Sequence, residues 1–442
     1  MRLFREGRYE PALACFDRVL AADARHSLAR GWRGLTLVRL GNLPGAESEL
    51  AAAVRESPRD PFLQNGLASL MIGLDRLPEA EASLRRALAI APGFPDALAN
   101  LSLVLRSQGD FAGAERAGRK ALTGMATHMQ ARINLAFALL AQGKYAEAWP
   151  ESCARPDPRL NPRGVVSSPF AHASSLPAPG SPVILHAEQG LGDTLFFLRF
   201  APLLKARGHP LAFWGDTRLH SMLARTGLFD HFLRPEATPG EGIALVWVGD
   251  LPCRFEANDP ARFPDPLPLA PEPAREARWR ERLAALGPAP YIGVTWRSGI
   301  DRRGRLGLAK RLDPAAFGAS LAGVRATWVS LQRLPAAGEA EAFAKACGAP
   351  VHDASPVNDD LEEALALLSV LDDYVGVSNT NTHLCASVGR SARVLVVWPP
   401  EWRWLEHGER SPWFRPMPLY RQGRDGDWGA ALSAMRVDLQ AP

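Results

Sequence analysis

Cysteine is scarce in this chain. Five occur in 442 residues (Cys15, Cys153, Cys253, Cys347 and Cys385), odd in number and never as a C-x-x-C pair. That excludes a disulfide-stapled miniprotein and leaves buried or free thiols in a reducing compartment. Long apolar runs are missing too: none reaches the roughly 18 residues needed to span a bilayer. The N-terminus, Met-Arg-Leu-Phe-Arg-Glu-Gly, has no apolar signal core. These absences predict a cytoplasmic protein with no transmembrane segment. A strong excess of one charge is lacking as well. There are 51 basic and 47 acidic residues, and residues 1–149, with 19 basic and 15 acidic, carry the whole surplus. A nucleic-acid partner, which calls for a pronounced basic domain, is not expected. The 47% hydrophobic and 22% charged content excludes a wholly disordered chain or a collagen-like fibre. The length predicts two to four domains.

What is present first is a repeat. Gly7, Gly41, Asp75, Gly109 and Gly143 are 34 residues apart, and Ala12, Ala46, Ala80, Ala114 and Ala148 keep the same step. Pro58 and Pro92 follow it, and Leu67, Leu101 and Leu135 recur beside Ala68, Ser102 and Ala136. A small residue for the turn, alanine for close helix approach and proline to begin the next unit describe a stacked helix pair. The pattern over residues 1–149 resembles the tetratricopeptide repeat. That resemblance implies an all-α solenoid, since each pair cannot bury its apolar face alone, with a concave surface for a protein partner.

Residues 150–182 hold eight prolines, against seven in all of residues 1–149. Proline at that density denies both helix and central strand, so a linker is placed at 150–181. Beyond it, short apolar strands alternate with helices. Strands are expected at 182–187, 211–214, 244–248, 291–296, 327–331, 374–377 and 394–398. Helices are expected at 193–207, 314–321, 361–371, 380–388 and 428–439, and a second proline-rich stretch, 252–290, interrupts them. Alternation of this kind predicts parallel α/β sheets in two Rossmann-like lobes, 182–285 and 286–442, with a cleft between.

Four stretches carry chemistry. His186-Ala-Glu-Gln-Gly190-Leu-Gly192-Asp193-Thr194 lies where a strand turns into a helix. Leu195 replaces the third glycine of a dinucleotide fingerprint, which weakens an NAD reading. Asp193 reads as a helix cap or, at a strand's carboxyl end, as a general base. Gly293-Val-Thr-Trp296-Arg297-Ser298-Gly299 opens a basic run (Arg297, Arg302, Arg303, Arg305, Lys310, Arg311) that reads as surface charge or as a phosphate loop. Arg297 is the phosphate contact we expect. Val377-Ser378-Asn379-Thr380-Asn381-Thr382-His383 reads as a capped helix with His383 packed beneath, or as a helix start receiving a diphosphate. The aromatic cluster Trp398-Pro-Pro-Glu401-Trp402-Arg403-Trp404 with Ser411-Pro-Trp-Phe414 reads as a loop near a cleft, without individual roles.

Taken in order, Glu188-Gln-Gly-Leu-Gly-Asp-Thr-Leu, Ile292-Gly-Val-Thr-Trp-Arg-Ser-Gly, Val377-Ser-Asn-Thr-Asn-Thr-His-Leu and Trp402-Arg-Trp-Leu followed by Ser411-Pro-Trp-Phe look like bacterial tetratricopeptide-repeat glycosyltransferases. The catalytic half of that family is similar to the ADP-heptose lipopolysaccharide heptosyltransferases. Over about residues 182–440 the resemblance implies a GT-B fold, with a nucleotide-sugar donor as substrate, no cofactor, no metal and inversion at the anomeric carbon. It assigns Asp193 as the base for the acceptor hydroxyl. Gly190, Gly192, Thr194, Trp296, Arg297, Ser298, Gln332, Ser378, Asn379, Thr380, Asn381 and His383 become donor-binding residues, Gln332 on the nucleoside side. Where the heptosyltransferases carry Asp-Thr or Asp-Ser, this chain has Ser378-Asn379, so a negative charge is absent beside the nucleotide. The expected function is transfer of a sugar (hexosyl or heptosyl type) to a hydroxyl acceptor, with the repeats binding a protein partner or acceptor. Two other readings stay open: a non-catalytic scaffold with a degenerate GT-B half, and a nucleotide-sugar epimerase or hydrolase.

Overall fold

The computed structural model describes residues 1–153, 176–187, 190–234, 236–237, 243–298 and 310–440. Most of the 150–181 linker, Glu188, and Gly299, Arg302, Arg303 and Arg305 of the basic run lie outside the described residues. The described chain falls into two compact units, one of Met1–Gln142 and one from Gly143 onward.

The first unit is all helical. A short helix, Arg2–Arg5, precedes Tyr9–Ala22. Pairs follow: Ser27–Arg39 with Leu43–Glu56, Pro61–Gly73 with Leu77–Ile90, Pro95–Gln108 with Phe111–Gly124, then Met129–Ala141. The 34-residue step has a backbone cause. Gly7, Gly41, Asp75 and Gly109 sit in the turn inside each pair with φ of 77°, 83°, 59° and 85°. Glycine takes that left-handed region without a Cβ penalty, and aspartate tolerates it better than most residues. Ala12, Ala46, Ala80 and Ala114 are all at or below 1% exposure, where a larger side chain would separate the helices. Caps set the starts. Asp60 Oδ1 accepts from the Phe62 and Leu63 amides, and Asp110 Oδ1 from the Gly113 amide.

The second unit begins with the helix Tyr145–Cys153, which continues the repeat phase in sequence. Its partners, however, are aromatic residues of the α/β region. Trp149 Nε1 donates to the Ala257 carbonyl at 2.7 Å, and its ring meets Trp402 and Trp413 edge-on at 5.9 and 6.0 Å. Tyr145 packs on Phe263 in the same way.

Two sheets follow. The first contains β1 (Val183–His186), β2 (Leu211–Trp214), β3 (His231–Leu233) and β4 (Ala244–Trp247), all parallel, in the order β3-β2-β1-β4. The second contains β5 (Tyr291–Thr295), β6 (Thr327–Ser330), β7 (Val351–Asp353), β8 (Asp373–Val377), β9 (Arg393–Val396), β10 (Arg410–Ser411) and β11 (Phe414–Arg421). Its order is β10-β11-β9-β8-β5-β6-β7, and every pairing but β10–β11 is parallel. The parallel α/β expectation therefore describes this region.

Several elements depart from expectation. β11 (Phe-Arg-Pro-Met-Pro-Leu-Tyr-Arg) contains Pro416 and Pro418, which argue against a strand. It joins β9 only through Leu419–Arg421, beyond both prolines, so no donor lost to proline is needed there. The stretch 252–290 is not simply an interruption. Pro273 takes the first position of a helix, Pro273–Leu286, where its missing N–H costs nothing. The expected 193–207 helix is two helices, Leu191–Phe197 and Ala201–Ala206, joined by a 3₁₀ turn, with Pro202 in the first turn of the second.

Candidate functional site

Both sheets reverse winding direction, and that reversal places the site. In the second sheet the chain winds from β5 outward to β6 and β7, then returns to β8 on β5's other side. The loops after β5 and β8 therefore diverge and leave a crevice at the strands' carboxyl ends, where open α/β sheets hold ligands. The first sheet does the same between β1 and β4, so the turn after β1, containing residues 190–193, also opens at a switch point.

These ends meet. A Cβ built on Gly192 would lie 3.0 Å from His383 Cδ2, 3.3 Å from His383 Nε2 and 3.8 Å from Thr380 Cα. Glycine at 192 is thus what lets the turn after β1 approach the helix Thr380–Ser387. Asp193, one residue on, is one-third exposed and forms an ion pair with Arg403. Arg403 is buried on the 3₁₀ turn Trp402–Trp404, its guanidinium 4.9 Å from the Phe196 ring and 4.8 Å from the Trp402 ring. That turn is fixed by Ser411 Oγ, which donates to the Arg403 carbonyl at 2.6 Å, and by Arg421, which donates to the Leu405 and Trp404 carbonyls. Burial lowers the Arg403 pKa to about 9, which still leaves it a cation at neutral pH.

Glu401 ties the other side together. Its Oε2 accepts from Ser378 Oγ at 2.9 Å and from Trp404 Nε1 at 3.2 Å, and its Oε1 lies 2.7 Å from Lys310 Nζ. Lys310 also donates to the Ser378 carbonyl at 3.2 Å. Burial pushes the Glu401 carboxyl upward, but Lys310 and Ser378 outweigh it and hold it below the ordinary carboxylate range. A negative charge therefore does stand beside position 378, supplied from a different loop.

The helix start is capped. Asn379 Oδ1 accepts from the Asn381 amide at 2.8 Å, and Thr382 Oγ1 accepts from the Asn379 amide, closing a capping box. Asn379 Nδ2 reaches Thr295 Oγ1 and Tyr374 OH, both at 3.0 Å, beneath the helix. His383 is buried between Phe196 and Phe414, and burial lowers its pKa to about 3, so it is neutral. Its Nδ1 has no hydrogen-bond partner among the described residues.

The remaining expected residues divide. Gly190 is exposed and begins the helix Leu191–Phe197. Thr194 is buried, its amide donating to the Gly190 carbonyl at 2.9 Å. Asn381 is buried and Thr380 half-buried. Trp296 is a core residue stacked on Phe343 at 5.8 Å. Gln332 is fully buried: its Oε1 accepts from the Trp296 and Arg297 amides at 3.0 Å, and its Nε2 donates to the Arg297 and Arg333 carbonyls. The side chains of Trp296 and Gln332 thus shape the strand-end loop from inside. Ser298 donates its amide to the Lys310 carbonyl, drawing Lys310 back to β5. Arg297, expected to meet phosphate, pairs with Glu339 at 3.2 Å and donates to the Leu334 carbonyl, on the β6 side of the sheet. Among the described residues, Lys310 stands beside Ser378 and Arg403 beside Asp193. Lys310 was legible only as part of a basic run, and Glu401 and Arg403 only as charges inside an aromatic cluster.

A separate cavity of about 570 Å³ lies at the other end of the helix Thr380–Ser387, walled by Phe263, Leu269, Trp413, Phe414 and Met417. None of the expected site residues line it. Among the described residues no cluster of three or more His, Cys, Asp or Glu side chains could hold a metal, and no helix is long and apolar enough to cross a membrane.

The tetratricopeptide repeat model matches residues 1–61 and 66–127, so the N-terminal helices are tetratricopeptide repeats. Among curated proteins the chain is similar to Protein FlbA of Caulobacter vibrioides (strain ATCC 19089 / CIP 103742 / CB 15). The two are 24% identical over 327 residues, 66% of this chain and 52% of that protein. The chain thus spans about half the length of this relative. Among solved structures it is similar to TTC0263, a thermophilic TPR protein in Thermus thermophilus (24% identity, 37% of this chain and 89% of that one, TM-score 0.33). It is also similar to PilW, a widely conserved type IV pilus biogenesis factor (24% identity, 34% and 70% coverage, TM-score 0.32).

Proposed function

We propose that this tetratricopeptide-repeat protein is a glycosyltransferase of the GT-B type. It moves a sugar from a nucleoside-diphosphate donor to a hydroxyl acceptor, with inversion, and the repeats bind a protein partner or acceptor. The observation that carries the reading is the convergence at Gly192. There the Asp193 carboxylate, the start of the helix Thr380–Ser387 and two cations, Arg403 and Lys310, share the carboxyl ends of two parallel sheets. A carboxylate that can accept a proton faces positive groups that can receive a departing anion.

In the proposed step the acceptor oxygen forms a bond to the anomeric carbon as its proton passes to Asp193. The bond from that carbon to the diphosphate oxygen breaks, and its electron pair leaves on the diphosphate. Charge grows on the leaving group, so fixed cations stabilise the transition state more than the ground state. The Ser378–Glu401–Lys310 set holds Lys310 beside the helix start, where the leaving group would sit.

The test is a panel of nucleoside-diphosphate sugars against the full chain, scored first by thermal stabilisation, since a ligand of the native state raises apparent stability. A stabilising donor is then assayed for transfer. Asp193→Asn should keep donor binding and lose transfer by roughly 10²-fold or more, the usual scale for a general base. Near-normal transfer by Asp193→Asn would remove the base assignment. Product released without any acceptor would favour an epimerase or hydrolase.

A further inference from the structure

The ion pair between Asp193 and Arg403 is unequal. Arg403 is 7% exposed and clasped by the Phe196 and Trp402 rings, whereas Asp193 is 34% exposed at the edge of a helical turn. The guanidinium is therefore the fixed partner and the carboxylate the one free to turn outward. Arg403 also keeps capacity in hand. Its buried Nε has no hydrogen-bond partner among the described residues, and Glu401 Oε1 stands 3.9 Å from Nη1, beyond hydrogen-bond reach. A guanidinium offers five donors in a planar fork that matches phosphate oxygens.

Resting on the glycosyltransferase reading, we propose that Arg403 is a latch on Asp193 which the donor's diphosphate opens. The diphosphate competes with the carboxylate for the guanidinium. When it wins, Arg403 neutralises the leaving group and Asp193 is released to receive the acceptor proton. One cation thus serves both ends of the reaction, and the base becomes available only once a donor is seated. Binding is ordered, donor before productive acceptor. Arg403 is a positioning residue for the base and a direct contact for the diphosphate.

The competition has a signature that a structural ion pair would not give. Inorganic pyrophosphate and ADP are titrated by calorimetry into the full chain and into Asp193→Asn, Arg403→Met and the double variant. Asp193→Asn removes the competitor, so it should bind both probes roughly fivefold more tightly, the scale of one partly exposed ion pair. That gain should vanish when Arg403 is methionine, a coupling that the double-mutant cycle isolates. If Arg403→Met does not fold, Arg403→Lys replaces it, and the gain must shrink. Equal gains in both backgrounds would mean plain charge repulsion and overturn the latch, as would no gain at all. If pyrophosphate and a panel of nucleoside diphosphates spanning the common bases all fail to bind the wild type and Asp193→Asn, the glycosyltransferase reading itself falls.

Discussion

Glu401→Gln is the most informative single change. The two carboxylate oxygens have different duties. Oε2 accepts from Ser378 and Trp404, and Oε1 faces Lys310 at 2.7 Å. An amide has only one acceptor oxygen. If that oxygen takes the Ser378 side, an NH₂ points at the Lys310 ammonium. If it takes the Lys310 side, the NH₂ faces the Trp404 indole N–H, which can only donate. Either way one contact becomes donor against donor, and the charge pairing is gone. The magnitude lies between two limits. Exposed pairs contribute about 0–1 kcal/mol, and breaking a buried pair costs about 3–5 kcal/mol. Glu401 and Lys310 are 20% and 16% exposed, so the loss should be about 2 kcal/mol. Urea unfolding at pH 7 would read this as a lower midpoint for the second unit with unchanged slope. The pH dependence fixes the sign. The Glu401 pKa is depressed in the fold. Its stabilisation is therefore full above the ordinary carboxylate range and is lost as pH falls through the depressed value. Glutamine does not titrate, so the gap between the two proteins must narrow on acidification. A loss under ~0.5 kcal/mol at pH 7, or a gap that widens in acid, would refute the account of this network.

Three further outcomes follow from the same geometry. Trp149→Ala should destabilise the second unit by about 3–5 kcal/mol, because it removes a buried indole and leaves the Ala257 carbonyl without its donor; two-unit unfolding by circular dichroism would locate the loss. Asp75→Gly should stabilise the repeats by about 0.5–1 kcal/mol, since Asp75 alone of the five turn positions holds a positive φ with a side chain; thermal melts would measure it. Gly192→Ala places a methyl against the His383 ring, so donor-induced thermal stabilisation should fall several-fold while the far-ultraviolet spectrum is unchanged.

Much of the architecture was legible because its causes are local. A turn that needs a left-handed residue every 34 positions, and an alanine wherever two helices touch, can be read without coordinates. So can the alternation of apolar strands with helices, because strands buried on both faces are short and uninterrupted. Prolines hide β11 and make the helix Pro273–Leu286 read as part of a proline-rich interruption; in both, the meaning of proline depends on whether its missing donor is needed. The candidate site divides along the same line. Asp193, Ser378 and Thr380 lie beside a strand end and a glycine or capping residue, which are local marks.

Arg297 shows where local marks stop. Its position after β5 suits a phosphate contact, yet only the packed molecule reveals Glu339 beside it. Gln332 looks available at a strand end, but its four hydrogen bonds run inward to the backbone. Conversely, Glu401 and Arg403 sit in an aromatic run that gives neither an individual role, and they acquire partners 23 and 210 residues earlier in the chain only through the fold. The sequence alone determined the repeats, the parallel sheets and the turns that end their strands, because periodicity and backbone preference act over a few residues. The tertiary structure decided which charges meet, because an ion pair depends on distance and burial, and neither is written along the chain.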